Sequence, residues 1–176
     1  MKISKKFSLL NNQKAVIAVT GKQAFKIYLI HDGEIDLMKF DRILPLRYSD
    51  KEGSFANPGK GELLGRGVAY DYNKEKMLKD FLKDFEENLK DIVTKNQVVT
   101  IYIFCPVYIM HDIINLIKNS LRGVVSIRLT FEGNYFYDHP FTLLEKIDAF
   151  INEIIEEQKL AEANEEVIKI LKKPKF

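Results

Sequence analysis

Val98-Val-Thr-Ile-Tyr-Ile-Phe-Cys-Pro-Val-Tyr-Ile-Met110 is the longest apolar run in the chain, and Pro106 divides it. Its first part, Val98–Cys105, is rich in β-branched and aromatic residues with little alternation, the pattern of a strand covered on both faces. Pro106 has no N–H to lose in a first helical turn, so it opens a helix that runs to about Leu121. Gly123 then supplies its C-terminal stop. Val124–Phe131 is expected to be a second strand of the same covered kind. Strand, helix, strand in immediate succession implies parallel pairing with a right-handed crossover.

Upstream of this unit, Met77, Leu78, Phe81, Leu82, Phe85, Leu89, Ile92 and Val93 recur every three or four residues, which predicts an amphipathic helix. Asp71 or Asn73 can cap it, and it should end near Thr94. Downstream, Glu132–Pro140 is a loop with room for a short strand at 135–137. A long helix then starts near Phe141 or Thr142, with Leu143, Leu144, Ile147, Phe150, Ile151, Ile154 and Ile155 as its apolar stripe. Leu160, Val167, Ile168 and Leu171 resume the pattern, so the tail is helical, either continuous with that helix or after a break.

The N-terminal third follows a different rule. Lys14–Thr20 is a short apolar strand ending at Gly21. Ala24–His31 places Phe25, Ile27 and Leu29 on one face and Lys26, Tyr28 and Ile30 on the other. Asp32-Gly33 is a hairpin turn, because both central residues of a type I′ turn need positive φ. Glu34–Phe40 is the return strand, and Ile43–Arg47 could add an edge strand around Pro45. Three antiparallel strands followed by αβαβα predict an α/β fold with a mixed sheet and helices on its faces. A length of 176 residues suits one domain, with its core over about 14–155 and a helical tail at 156–176.

The order of elements, with Ala24-Phe-Lys-Ile-Tyr-Leu-Ile-His-Asp-Gly-Glu-Ile-Asp-Leu37, Ser49-Asp-Lys-Glu-Gly53, Gly65-Arg-Gly67, Ile103-Phe-Cys-Pro106 and His139-Pro-Phe-Thr-Leu-Leu-Glu-Lys-Ile147, resembles the middle domain of archaeal and eukaryotic class-1 peptide-release factors. It resembles still more the bacterial release-factor-like proteins, some of them called host-attachment proteins. The resemblance covers roughly residues 14–155. It implies a ribonuclease H-like arrangement and a role beside RNA or the ribosome. Release factors carry a Gly-Gly-Gln tip before the long helix. This chain has no Gly-Gly pair and no glutamine between Gln23 and Gln97, so peptide release by that mechanism is not expected.

Composition narrows the setting. The single cysteine, Cys105, rules out an internal disulfide and fits a reducing compartment. The start of the chain lacks the apolar region of a signal peptide, and no apolar run approaches the roughly 20 residues of a membrane span. The expected location is the cytoplasm, with no membrane partner. Net charge is +2, with 12 Lys/Arg against 7 Asp/Glu in residues 1–70 and 15 against 18 in residues 71–176. That asymmetry is too small to identify a nucleic-acid binder by charge alone.

Function can reside in the segment 48–70, which holds five of the nine glycines; connections this long are commonly functional or disordered. Arg47, Lys51, Lys60 and Arg66, interleaved with Tyr48, Phe55, Tyr70 and Tyr72, have the chemistry to grip phosphates and stack on unpaired bases. The plainer alternative is that the glycines permit turns and the charges are solvated. Gly53–Gly61 fails as a P-loop, having five residues between its glycines and Gly61 where a magnesium-binding hydroxyl belongs. Gly59–Gly65 misses the dinucleotide pattern by one residue.

Cys105, at the end of a strand with a helix opening behind it, is the candidate reactive thiol, with His111 or His139 as base; a packed, inert thiol is the alternative. Asp32 and Glu34 could converge with Glu132 and Asp138 on a metal, but the first strand has no carboxylate to join them. Three scattered histidines do not make a metal site. No cofactor is expected, and the chain reads as a non-enzyme. The leading expectation is a binding protein for RNA or the ribosome. The alternatives are a protein-interaction or homodimerisation module using the tail stripe, and a hydrolase using Cys105.

Overall fold

The computed structural model describes residues 1–4, 6–42 and 66–171, of which 66–74 and 162–171 by their helical backbone alone. The elements run α1 (Ser8–Asn11), β1 (Ala15–Thr20), β2 (Ala24–His31), β3 (Glu34–Arg42), α2 (Arg66–Asn96), β4 (Thr100–Cys105), α3 (Val107–Ser120), β5 (Ser126–Glu132) and α4 (Pro140–Leu171). The five strands form one sheet in the order β3-β2-β1-β4-β5. β1 pairs antiparallel with β2 and parallel with β4, so the meander and the βαβ unit share it. This is the mixed α/β sheet expected from the sequence.

The β2–β3 turn forms as its residues require, with φ of 48° at Asp32 and 75° at Gly33. Alternation along β2 then sorts its side chains. Phe25, Ile27 and Leu29 enter the core beneath α2 and α3, while Tyr28 and Ile30 enter the core beneath α4 and α1. β1 does the same with Val16 and Ala18 on one face and Ile17 and Val19 on the other, and all six of its residues are buried. Phe81 and Phe85 of α2 meet Phe25 edge-on, with ring centroids 5.9 and 5.4 Å apart. On the other face Phe104 stacks on Phe131 at 4.4 Å.

Several expectations change. α2 begins at Arg66 rather than at Asp71 or Asn73. One glycine inside a helix costs only about 1 kcal/mol, and a helix already nucleated gains a bond with each residue added, so Gly67 does not stop it. Residues 66–70 are therefore helix, not loop. The proposed edge strand at 43–47 and the rest of the segment to 65 lie outside the described residues. α4 continues without a break to Leu171. The short strand at 135–137 is absent; that stretch is a turn closed by the Asp138 N–H donating to the Tyr135 carbonyl at 3.0 Å.

β5 is not covered on both faces. It is the last strand in the sheet, and its residues alternate exposed and half-buried. The pairing with β4 slips between Ile101 and Tyr102, so that Ile127 pairs Ile101 while Leu129 pairs Tyr102. Arg128 is the extra residue. A bulge of this kind turns the following side chains over. Ile127 therefore packs towards α3, while Leu129 and Phe131, of the same parity in sequence, pack towards α4.

Candidate functional site

Topology brings one end of the sheet to notice. β1, β4 and β5 are parallel, so Thr20, Cys105 and Glu132 finish at the same end. β3 finishes there too, at Arg42, which pairs with Ala24 at the start of β2. α2 runs back towards the start of β4, so its N-terminal turn lies at this end as well. Met77 of α2 sits level with the β1–β2 turn, where the Gln23 amide approaches its sulfur at 3.9 Å. Eleven residues precede Met77 in the helix, so at 1.5 Å per residue the backbone of Arg66 is roughly 16 Å from Met77 along the helix axis. Residues 43–65 thus join two points at this end. In open α/β sheets, ligands bind beyond the carboxyl ends of the strands where chain order reverses.

The loop after β5 is built onto this end by a glycine. Gly133 has φ of 145°, and a Cβ there would meet the Tyr135 ring at 2.9 Å. Its N–H donates to the Cys105 carbonyl at 3.0 Å. The turn this allows folds Tyr135 against Phe104, with centroids 5.1 Å apart, and its hydroxyl donates to the Glu132 carbonyl at 3.0 Å. Phe136 is then pressed over Gly21 at the end of β1, where a Cβ would lie 3.3 Å from the ring. Lys26 secures Phe136 from β2, its ammonium donating to the Phe136 carbonyl at 2.6 Å and standing 4.7 Å from the ring centroid. Phe136 is 7% exposed. Its role is structural.

Its neighbours are not packed in this way. Tyr137 is 79% exposed, with its ring edge-on to Phe136 at 5.3 Å. Phe40, 51% exposed, lies 6.1 Å from Phe136 on the other side. Tyr108, on the first turn of α3 at the same end, is 65% exposed. Lys22 and Arg42 are exposed cations beside them. Between the β1–β2 turn and the 134–137 loop is a depression of about 260 Å³. Asp41 lies close by but is engaged by the Arg42 N–H at 2.8 Å and by Lys39 at 3.7 Å.

Of the residues singled out in the sequence, Arg66, Tyr70 and Tyr72 are on the first turns of α2. Positions 66 and 70 are one turn apart, and position 72 falls on another side of the helix. Arg47, Tyr48, Lys51 and Lys60 lie outside the described residues. Cys105 is fully buried, and burial first, with Glu132 second, pushes its thiol up to about 11. The hydrolase expectation therefore meets a thiol protonated at neutral pH and closed to solvent. His111 is on the α3 surface with Asn115 at 3.1 Å. His139 accepts the Phe141 N–H at 3.3 Å and caps α4. Neither forms a couple with Cys105.

The four carboxylates do not converge. Asp32 and Glu34 are in the β2–β3 turn, level with Ala15, whereas Glu132 is level with Cys105 at the far end of the strands. Five strand residues separate those levels, roughly 16 Å. Among the described residues no three His, Cys, Asp or Glu side chains are grouped to hold a metal ion. A larger depression, about 530 Å³, lies at the turn end, lined by Asn11, Gln13, Lys14, His31 and Asp32. Nearby, the N-terminal amine at 3.1 Å and then His31 at 3.1 Å hold the Asp36 carboxyl below its usual range. This cluster is internally paired. No described helix is long and apolar enough to cross a membrane.

Lys22, Phe40, Arg42, Phe136 and Tyr137 were not among the sequence candidates. The available signal was the Tyr135-Phe-Tyr137 run in a loop that follows a parallel strand, where folding alone demands no exposed aromatic.

No protein-family model matches the chain, and no curated protein matches it. Solved structures do. An archaeal translation termination factor, aRF1, aligns over 90% of this chain and 44% of its own, at 14% identity and a TM-score of 0.46. A chain from a model of ribosome-bound archaeal Pelota and ABCE1 aligns over 88% and 39%, at 14% identity and a TM-score of 0.41. This chain spans less than half the length of either.

Proposed function

We propose that this protein is a non-catalytic RNA-binding module that works beside the ribosome, and that its contact surface is the carboxyl end of the sheet together with residues 43–72. The observation that carries this reading is the gathering of exposed cations and exposed aromatic rings, Lys22, Arg42, Phe40, Tyr108 and Tyr137, at the end from which residues 43–65 depart. Cations neutralise phosphates without regard to sequence, and aromatic faces stack on unpaired bases. Arg47, Lys51, Lys60, Arg66, Tyr48, Tyr70 and Tyr72 would extend the same chemistry. The ribosome enters through the sequence resemblance to release-factor middle domains.

The test is fluorescence anisotropy of a labelled single-stranded RNA decamer across a salt series. For single strands the slope of log K against log salt is about −0.7 per phosphate neutralised. Lys22→Ala with Arg42→Ala should weaken binding and flatten the slope by about 1.4, and Lys60→Ala with Arg66→Ala should do likewise. An unchanged affinity and slope in both double variants would overturn the assignment of this surface.

A second reading, homodimerisation, has its own observation. Leu37 and Met38 on the edge strand β3 are about half exposed, beside Phe40. Sedimentation decides it: a single monomeric species at 50 µM in high salt removes this reading.

A further inference from the structure

Within the proposed contact surface, we propose that the depression between the β1–β2 turn and the 134–137 loop is a pocket for one nucleotide, taking an unpaired base and its 5′-phosphate. This rests on the reading of that end of the sheet as a nucleic-acid surface, and it adds a site and a ligand class to it.

Size limits the occupant. The depression holds about 260 Å³, just below the range of roughly 300–1,000 Å³ typical of sites for drug-sized ligands. A base fits; a dinucleotide or a folded cofactor does not. The walls supply the two interactions a base requires. Tyr137 offers a ring face to stack on, and Phe136 beneath it is anchored by Lys26 and by contact with Gly21. The floor on which Tyr137 stands is therefore fixed before the ligand arrives, which reduces the ordering cost of binding. Gln23 and Asn134 line the same space, and a side-chain amide has both a donor and an acceptor for a base edge.

Charge defines the other half of the ligand. Lys22 and Arg42 line the depression, and among the described residues no carboxylate does. A neutral aromatic compound would leave both cations unused, and an inorganic anion would leave the ring unused. A nucleoside monophosphate, free or as one residue of an unpaired strand, uses both.

The probes are adenosine 5′-monophosphate, adenosine, ribose 5-phosphate and the RNA decamer, each titrated into the full chain by calorimetry or by observing amide and ring resonances. The monophosphate should bind, adenosine should bind more weakly, and ribose 5-phosphate should not bind. Tyr137→Ala should lower affinity for the monophosphate tenfold or more, Tyr137→Phe should keep it, and Lys22→Ala with Arg42→Ala should erase the preference for the phosphate over adenosine. Tyr137 is exposed, so none of these losses can be charged to misfolding; matching melting temperatures verify that.

The arms separate the two proposals. If the monophosphate and the RNA both bind and both lose affinity in Tyr137→Ala, the occupant is a residue of RNA. If only the monophosphate binds, the pocket stands for a free nucleotide and the RNA reading fails. If the RNA binds without dependence on Tyr137 and the monophosphate does not, the pocket is refuted and the RNA reading stands. Binding by neither overturns both.

Discussion

Native Cys105 should resist thiol reagents, and the size of the resistance can be worked out. An exposed cysteine has a pKa of about 8.5, so at pH 8 roughly a quarter of it is thiolate. At the value of about 11 reached by Cys105, the fraction is roughly one in a thousand. Thiolates of higher pKa are better nucleophiles, with a Brønsted slope of about 0.4–0.5, which returns roughly tenfold. Ionisation alone therefore slows labelling only about twentyfold. The larger factor is burial: with no exposed surface, the sulfur reacts only when the core opens, and openings that reach core strands approach the cost of global unfolding. Labelling with a chromogenic disulfide should be at least about a thousandfold slower in the native protein than in urea, where it should be complete within minutes. Stoichiometric reaction of the native protein in minutes would refute the burial and reinstate the thiol as a candidate nucleophile. The same shift sets a pH signature. The folded state holds this proton more tightly, so the stability contributed is complete below the unfolded value near 8.5 and is lost as pH rises towards 11, on the order of 3 kcal/mol in all. Burial raises Tyr28 and Tyr102 too, which adds to the loss on the alkaline side.

Two further perturbations test the packing that holds the site. Thr20, at the end of β1, is fully buried, and its hydroxyl makes no hydrogen bond to any described residue. Thr20→Val removes an orphaned polar atom that costs about 1–3 kcal/mol, so it should raise the urea midpoint and lift Tm by about 2–4 °C per kcal/mol; a loss of 1 kcal/mol or more would mean that the hydroxyl has a partner. Inserting one alanine after Arg128 shifts the rest of β5 by one residue and should turn Leu129 and Phe131 out of the core beneath α4, abolishing cooperative unfolding followed by circular dichroism. Deletion of Arg128 removes only the bulge, leaves Ile127 and Leu129 in regular alternation and should unfold cooperatively, so the two variants behaving alike would contradict the register.

Legibility in the sequence followed the range of the interaction concerned. The β2–β3 hairpin was readable because Asp32 and Gly33 settle it between themselves, and both adopt the positive φ the turn demands. β4 was readable because residues 98–105 are apolar on both faces, and the strand is buried on both. β5 was not, since its place at the edge depends on strand order, which no window of seven residues contains. The polar residues Ser126, Arg128, Thr130 and Glu132 did mark a half-exposed strand. They could not show that a bulge splits Ile127 from Leu129 and Phe131. The functional end was legible only in part. The Gly-rich segment drew attention to residues 47–72, but Lys22, Arg42 and Tyr137 are separated by 20 and 95 positions and meet only through the sheet.

What distinguishes the carboxyl end of the sheet is the cost of its residues, weighed against what folding returns. A buried phenylalanine such as Phe85 contributes roughly 3–5 kcal/mol when compared with alanine, which explains its presence without any appeal to function. Tyr137, mostly in water, contributes little of this kind, and the same holds in part for Phe40 and Tyr108. One exposed ring on a surface is ordinary. Three at a single end, with Tyr137 lining a depression beside Lys22 and Arg42 that no described carboxylate lines, have no counterpart in the polar cluster at the hairpin end, where His31, Asp36 and the terminal amine satisfy one another. The two ends are built from the same strands and share the same cores. Packing therefore cannot account for the difference between them. A ligand with an aromatic face and a negative charge can.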